Sequence, residues 1–120
     1  MGYGKDVEDE LRGPARRLRD AIPEVWSART RLSAAVMVDG ALDIKTKELI
    51  ALAISVTREC DGCIAAHAKG AARAGATEEE VAEMLGVSVM MNGGPATVWG
   101  PRAFDAFLEY RDSRSSGGQG

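Results

Sequence analysis

The chain has 120 residues, with 15 basic and 18 acidic side chains and a formal net charge of -3 at pH 7. That length sets one domain that can bury most of the surface its unfolded form exposes, and 45% hydrophobic with 28% charged residues excludes bulk disorder. The acidic balance argues against nucleic-acid binding, and the longest apolar run, Leu49 to Ile54, is far too short to span a bilayer. A charged N-terminus does not read as a targeting segment, so the expectation is a soluble, cytoplasmic protein without nucleic-acid or membrane partners.

Nineteen alanines and few aromatics favour closely packed helices, and no stretch alternates with the period of a strand. The expected fold is all-α, with a central antiparallel helical hairpin. Val7, Leu11, Leu18 and Ile22 share one stripe, which Gly13-Pro14 should break, the helix restarting at Pro14. Pro23 opens a second helix carrying Val25, Trp26, Leu32 and Val36, which ends near Asp39-Gly40. Arg12, Arg16, Arg17 and Arg19 could form a binding patch, but Glu8, Asp9, Glu10 and Asp20 flank them and favour a solvated helix face.

Asp43 suits the N-cap of a third helix running to about Thr57. Its apolar residues from Leu49 to Val56 point in nearly all directions, so it should be the buried, central helix. A fourth helix spans about Cys60 to Ala74 and stops at Gly75. Thr77 and Glu80 form a capping box for the fifth. Asn92-Gly93-Gly94-Pro95 interrupts the chain before a last helix with Trp99, Phe104, Phe107 and Leu108. Three segments follow: an N-terminal helical extension (1–22), a core domain (23–112) and a Ser/Gly-rich tail (113–120) expected to be disordered.

The chemistry concentrates between Glu48 and His67. Cys60 and Cys63 form a CxxC, and two cysteines are too few for a secreted disulfide scaffold. On a helix an i, i+3 pair brings its Cα atoms close enough for a disulfide, and His67, the sole histidine, lies one turn beyond Cys63 on the same side. If the third and fourth helices turn near Arg58 and Glu59, Glu48 lies ten residues before Arg58 and His67 nine after it. At about 1.5 Å per residue both sit roughly 13–15 Å from the turn, at one level of the hairpin. A carboxylate beside a histidine, with a cysteine one turn away, can move protons to and from a thiol. Glu48 would raise the basicity of His67, which would deprotonate Cys63 directly or through a water. The helix start favours thiolate, with Arg58 supporting and Asp61 opposing it.

Blander readings compete. The cysteines could be small core hydrophobes, and Glu48 a surface carboxylate paired with Lys45 or Lys47. Cys60, Cys63, His67 and Glu48 could hold a structural zinc, although such sites usually draw on a second CxxC or further histidines. A CxxC could also switch packing between subunits, with Gly70, Ala71 and Ala74 at a close helix contact.

The register of Glu48, Cys60, Cys63 and His67 resembles the alkylhydroperoxidase D family, within the carboxymuconolactone decarboxylase-like superfamily. Asp39-Gly40-Ala41-Leu42, Lys47 to Ala53, Ala74 to Glu80 and Asn92 to Ala96 are also similar to that family, and the likeness covers roughly Pro23 to Tyr110. It implies an all-helical homo-oligomer, a trimer or a hexamer of three dimers, that reduces hydroperoxides without a metal or other cofactor. In the family pattern Cys63 attacks the peroxide and becomes a sulfenic acid. Cys60 resolves it to a disulfide, which a dithiol donor such as a lipoyl-bearing partner reduces. Register with His67 also favours Cys63, whereas thioredoxin-like logic would make Cys60 the nucleophile. Some members carry a histidine or aromatic residue between the cysteines; Asp61-Gly62 stands there, which shortens the relay. True lactone decarboxylases do not depend on a CxxC, so a lyase is the remaining alternative. Trp26, Trp99, Phe104, Phe107 and the methionines are a large apolar load for short helices, and part of it should meet another subunit.

Overall fold

Helix signals written along the chain become six helices in the computed structural model, which describes residues 2–117, with side chains to Arg114. They are α1 (Lys5–Ala21), α2 (Pro23–Val36), α3 (Ile44–Thr57), α4 (Asp61–Arg73), α5 (Glu78–Asn92) and α6 (Gly94–Gly117). No strand occurs among the described residues, so the fold is all-α.

The caps fall where the side-chain chemistry puts them. Asp43 Oδ1 accepts from the Thr46 N–H at 2.8 Å and starts α3. Thr77 Oγ1 accepts from the Glu80 N–H at 3.1 Å, while Glu80 Oε1 accepts from the Thr77 N–H at 2.8 Å, which completes the capping box of α5. Gly75 and Gly93 stop α4 and α5 with φ of 85° and 70°, a region that side chains with a Cβ avoid.

Helix α4 lies at the centre, packed against α3, α6 and α1, and α5 packs on α6 and α3. Ile64, Ala65, Ala68, Ala71 and Ala72 of α4 are buried, as are Ala103, Ala106, Phe107 and Tyr110 of α6. Alanines on both helices let their backbones approach closely. Fully buried Phe107, Leu52, Ile64, Val56 and Val81 anchor the core, each contributing roughly 1.5–3 kcal/mol of burial energy.

Several expectations need correcting. Helix α1 runs unbroken through Gly13-Pro14. Gly13 has no Cβ to meet the proline ring, and the stretch around Pro14 is solvent-exposed, so water can serve the carbonyl that proline leaves unpaired. Helix α3 is not the buried one: Leu52, Ser55 and Val56 enter the core, but Ile50 and Ile54 are 45% and 53% exposed. Its second apolar face has no partner among the described residues. Of the aromatic residues expected at a subunit contact, Phe107 is buried and Trp99 and Phe104 pack against the core, while Trp26 of α2 is half-buried outside it. The exposed apolar surface includes Val25, Leu32, Val36 and Val87 and, as expected of the methionines, Met90 and Met91, each 73% exposed. Ala71 belongs to the chain's own core and so is unavailable to a subunit contact. From Ser113, where a disordered tail was expected, α6 continues to Gly117; residues 118–120 lie outside the described part.

Candidate active site

Cys60 occupies two structural positions at once. Its N–H donates to the Ser55 carbonyl at 3.1 Å, and the Glu59 N–H donates to the Val56 carbonyl at 3.1 Å, the paired bonds of a Schellman closure of α3. Glu59 takes the left-handed conformation this closure needs, with φ of 53°. The same Cys60 is the N-cap of α4, its Sγ accepting from the Cys63 N–H at 3.2 Å. One three-residue connection therefore ends one helix, starts the next and sets a sulfur on the positive end of α4.

Cys60 and Cys63 are joined in a disulfide, with their Cα atoms 5.2 Å apart. The spacing on the first turn of α4 makes this closure possible without rearranging the helix.

One turn further along α4, His67 Nδ1 lies 2.7 Å from Glu48 Oε1 of α3. The two levels expected from counting along the hairpin thus meet. A carboxylate only accepts, so Nδ1–H is the donor and the neutral ring keeps its Nε2 lone pair free to take a proton. Glu48 is 14% exposed and His67 31%, which shelters the pair while leaving the imidazole accessible.

The lysines proposed as surface partners of Glu48 go elsewhere. Lys45 pairs with Glu80 at 2.8 Å, a bond that raises the lysine's proton affinity and holds the Glu80 carboxyl below its usual range. Lys47 Nζ donates to the carbonyls of Val36 and Val38 at 2.8 and 2.7 Å. Beside Glu48 an open cleft of about 570 Å³ is bordered by Lys45, Lys69 and Arg73. No cluster of three or more His, Cys, Asp or Glu able to hold a metal occurs among the described residues.

Three contributions were not visible in the sequence pattern. Leu11 of α1 lies over Gly62, between the cysteines, where an added Cβ would come within 2.9 Å of Leu11 Cδ1. Glu8 of α1 binds Lys69 at 2.8 Å and ties the same helix to α4. Gly70, one turn past His67, lies directly under the Glu48 carboxylate. Such contacts join elements distant in sequence, so no local spacing announces them.

Residues 23–109 match the carboxymuconolactone decarboxylase family, and the chain belongs to it. That agrees with the superfamily indicated by the Glu48, Cys60, Cys63 and His67 register. A protein of Legionella pneumophila, crystallised in its apo form and described as a member of this family, is 37% identical, with a TM-score of 0.85 over 89% of this chain and 96% of that one. A Thermotoga maritima family protein, described with a suggested part in an antioxidative response, is 29% identical, with a TM-score of 0.76 over 90% and 95% of the two chains. An uncharacterized protein of Cupriavidus necator is 38% identical over 90 residues, or 75% of this chain and 80% of its own length.

Proposed function

We propose that this protein is a thiol-dependent peroxidase and disulfide oxidoreductase that reduces hydroperoxides through Cys60 and Cys63, with Glu48 and His67 as the proton relay. The observation that carries the reading is the 2.7 Å Glu48–His67 contact one helical turn from a CxxC on the first turn of α4. His67 Nε2 takes the Cys63 thiol proton, directly or through a water. The thiolate attacks the terminal oxygen of the hydroperoxide, the O–O bond breaks, and the alkoxide leaves with the proton that His67 returns as an alcohol. Cys63 is then a sulfenic acid, two electrons more oxidised.

Cys60, whose sulfur sits at the helix N-terminus, attacks the sulfenic sulfur and expels hydroxide, which leaves as water once protonated. The product is the Cys60–Cys63 disulfide. A dithiol donor, of which a lipoyl group is one chemical form, restores two thiols by exchange and becomes the oxidised partner. On that return step attack on Cys63 is favoured, because the helix N-terminus stabilises Cys60 as the departing thiolate. What favours redox chemistry over lactone decarboxylation is the pair of cysteines in bonding distance beside the relay. Cycling of this kind suits the reducing cytoplasm.

The working unit is an assembly of copies of this chain. Val25, Leu32 and Val36 form an exposed stripe on α2, and Ile50 with Ile54 another on α3; a second copy would remove both from water. Trimer or hexamer symmetry follows from the family resemblance.

Turnover of cumene hydroperoxide with excess dithiothreitol tests the proposal. Glu48→Gln should lose roughly 100-fold in rate and His67→Ala at least as much. Wild-type rates in both variants would contradict the relay.

A further inference from the structure

Helix α4 is built largely from alanine around its only histidine, Ala65-Ala66-His67-Ala68-Lys69-Gly70-Ala71-Ala72, and Gly70 is the exception in mid-helix. Glycine weakens a helix interior relative to alanine, so its presence among alanines asks for a reason. The reason lies across the hairpin. A Cβ placed on Gly70 would overlap the Glu48 carboxyl group, with Oε1 at 2.8 Å and Oε2 and the carboxyl carbon nearer still. That same Oε1 is the atom bound to His67 Nδ1. His67 and Gly70 are three residues apart on one helix, hence on one face, and Glu48 reaches over from α3 to fill the space the missing side chain leaves.

We propose that Gly70 is a positioning residue for the relay: the bare backbone at this point is what lets the Glu48 carboxylate reach His67 Nδ1 and fix its tautomer. The inference rests on the relay described above and deepens it. With a methyl group at position 70 the carboxylate has to leave, and it has somewhere to go. The open cleft beside it is bordered by Asp39 and Asp43 as well as Lys45, Lys69 and Arg73. With Lys45 and Lys69 already paired to Glu80 and Glu8, a displaced Glu48 has room to turn there toward Arg73 without forcing the helices apart. The histidine then loses its acceptor. Which nitrogen carries the proton is set by the hydrogen bond the other ring nitrogen makes, and an imidazole freed from that bond favours protonation at Nε2, the atom the relay needs as base.

The test uses the reduced full-length protein and its only histidine, so the ring signals need no assignment by elimination. Long-range proton–nitrogen NMR reads the tautomer of neutral His67, and stopped-flow mixing with cumene hydroperoxide reads the rate of thiol oxidation. In the wild type the ring should be protonated at Nδ1. Both Gly70→Ala and Glu48→Ala should move it toward the Nε2–H form and slow thiol oxidation by roughly 100-fold, with the double variant no slower than Glu48→Ala alone.

A stability comparison separates positioning from packing. With Glu48→Ala already in place the obstruction is gone, so adding Gly70→Ala should raise the melting temperature through helix propensity. An Nδ1–H ring and wild-type rate in Gly70→Ala would overturn the proposal. So would a lower melting temperature when Gly70→Ala is added to Glu48→Ala, because the Cβ would then be meeting something other than the carboxylate. If the wild type does not react with hydroperoxide at all, the peroxidase reading falls, while the tautomer still decides whether Gly70 positions Glu48.

Discussion

Helices α2 and α4 have nearly the same length and opposite fates. Helix α4 buries five residues among three neighbours, whereas α2 buries none and packs along α1 alone among the described helices, with Lys47 of α3 reaching only its last carbonyl at Val36. Both begin with clear local signals, Pro23 at the first turn of α2 and Cys60 as the cap of α4. The difference is in what faces them. Alanines along α4 let α3 and α6 close on it, so its geometry, and the cysteines and histidine it carries, is fixed within one chain. The apolar stripe of α2 finds no partner among the described residues, and in the proposed assembly a second copy would cover it. The proposed redox site thus stands on the part of the molecule that holds itself together, and the proposed contact between copies would draw on the part that does not.

Substitutions can break this contrast in graded ways. The largest effect is expected from Cys63→Ser, which should abolish hydroperoxide turnover and leave the helical content by circular dichroism unchanged. Next comes the core: Phe107, fully buried between helices, should cost about 3–5 kcal/mol as alanine in urea unfolding. Leu32→Asp on α2, at a residue 64% exposed in the single chain, should behave oppositely. Helical content should be retained, but the mass by light scattering should fall toward one subunit, and thiol oxidation in the separated chain should persist. Unchanged mass would remove α2 from the interface.

The smallest effect is at Tyr110. Its buried hydroxyl has no hydrogen-bond partner among the described residues, and burial, with the nearby Glu8, Glu109 and Asp9 carboxylates, pushes its proton loss up to about 12. In the unfolded chain the phenol ionises near its ordinary value of about 10. Between these values the unfolded state sheds the proton first, so stability is full below pH 10 and declines as pH rises toward 12. Tyr110→Phe should remove that part of the alkaline loss and leave stability at neutral pH equal or slightly higher, because an unpaired buried hydroxyl is costly. Thermal unfolding of both proteins between pH 8 and 11 checks it.

Much of this was legible in the sequence where the cause is local. Asp43, Thr77 with Glu80, and Gly75 mark helix ends through bonds to backbone groups a few residues away, and all three appear as read. The meeting of Glu48 and His67 was legible too, because a tight hairpin converts counting into height. What depends on a neighbour was not. The Gly13-Pro14 pair looks like a break until the helix around it is seen to face water. Helix α3 is apolar all round, and only the packing tells which face enters the core. Gly70 reads as a small residue for close contact until the carboxylate above it is located.

The central claim is that the α3–α4 hairpin makes Cys60 and Cys63 a peroxide-driven redox pair. Intact mass and free-thiol count of the reduced protein, before and after one equivalent of cumene hydroperoxide, test it most directly. Rapid loss of both thiols and of two hydrogens in mass, absent in Cys63→Ser, is the expected result. Two thiols that stay reduced, with the hydroperoxide unconsumed, would contradict it.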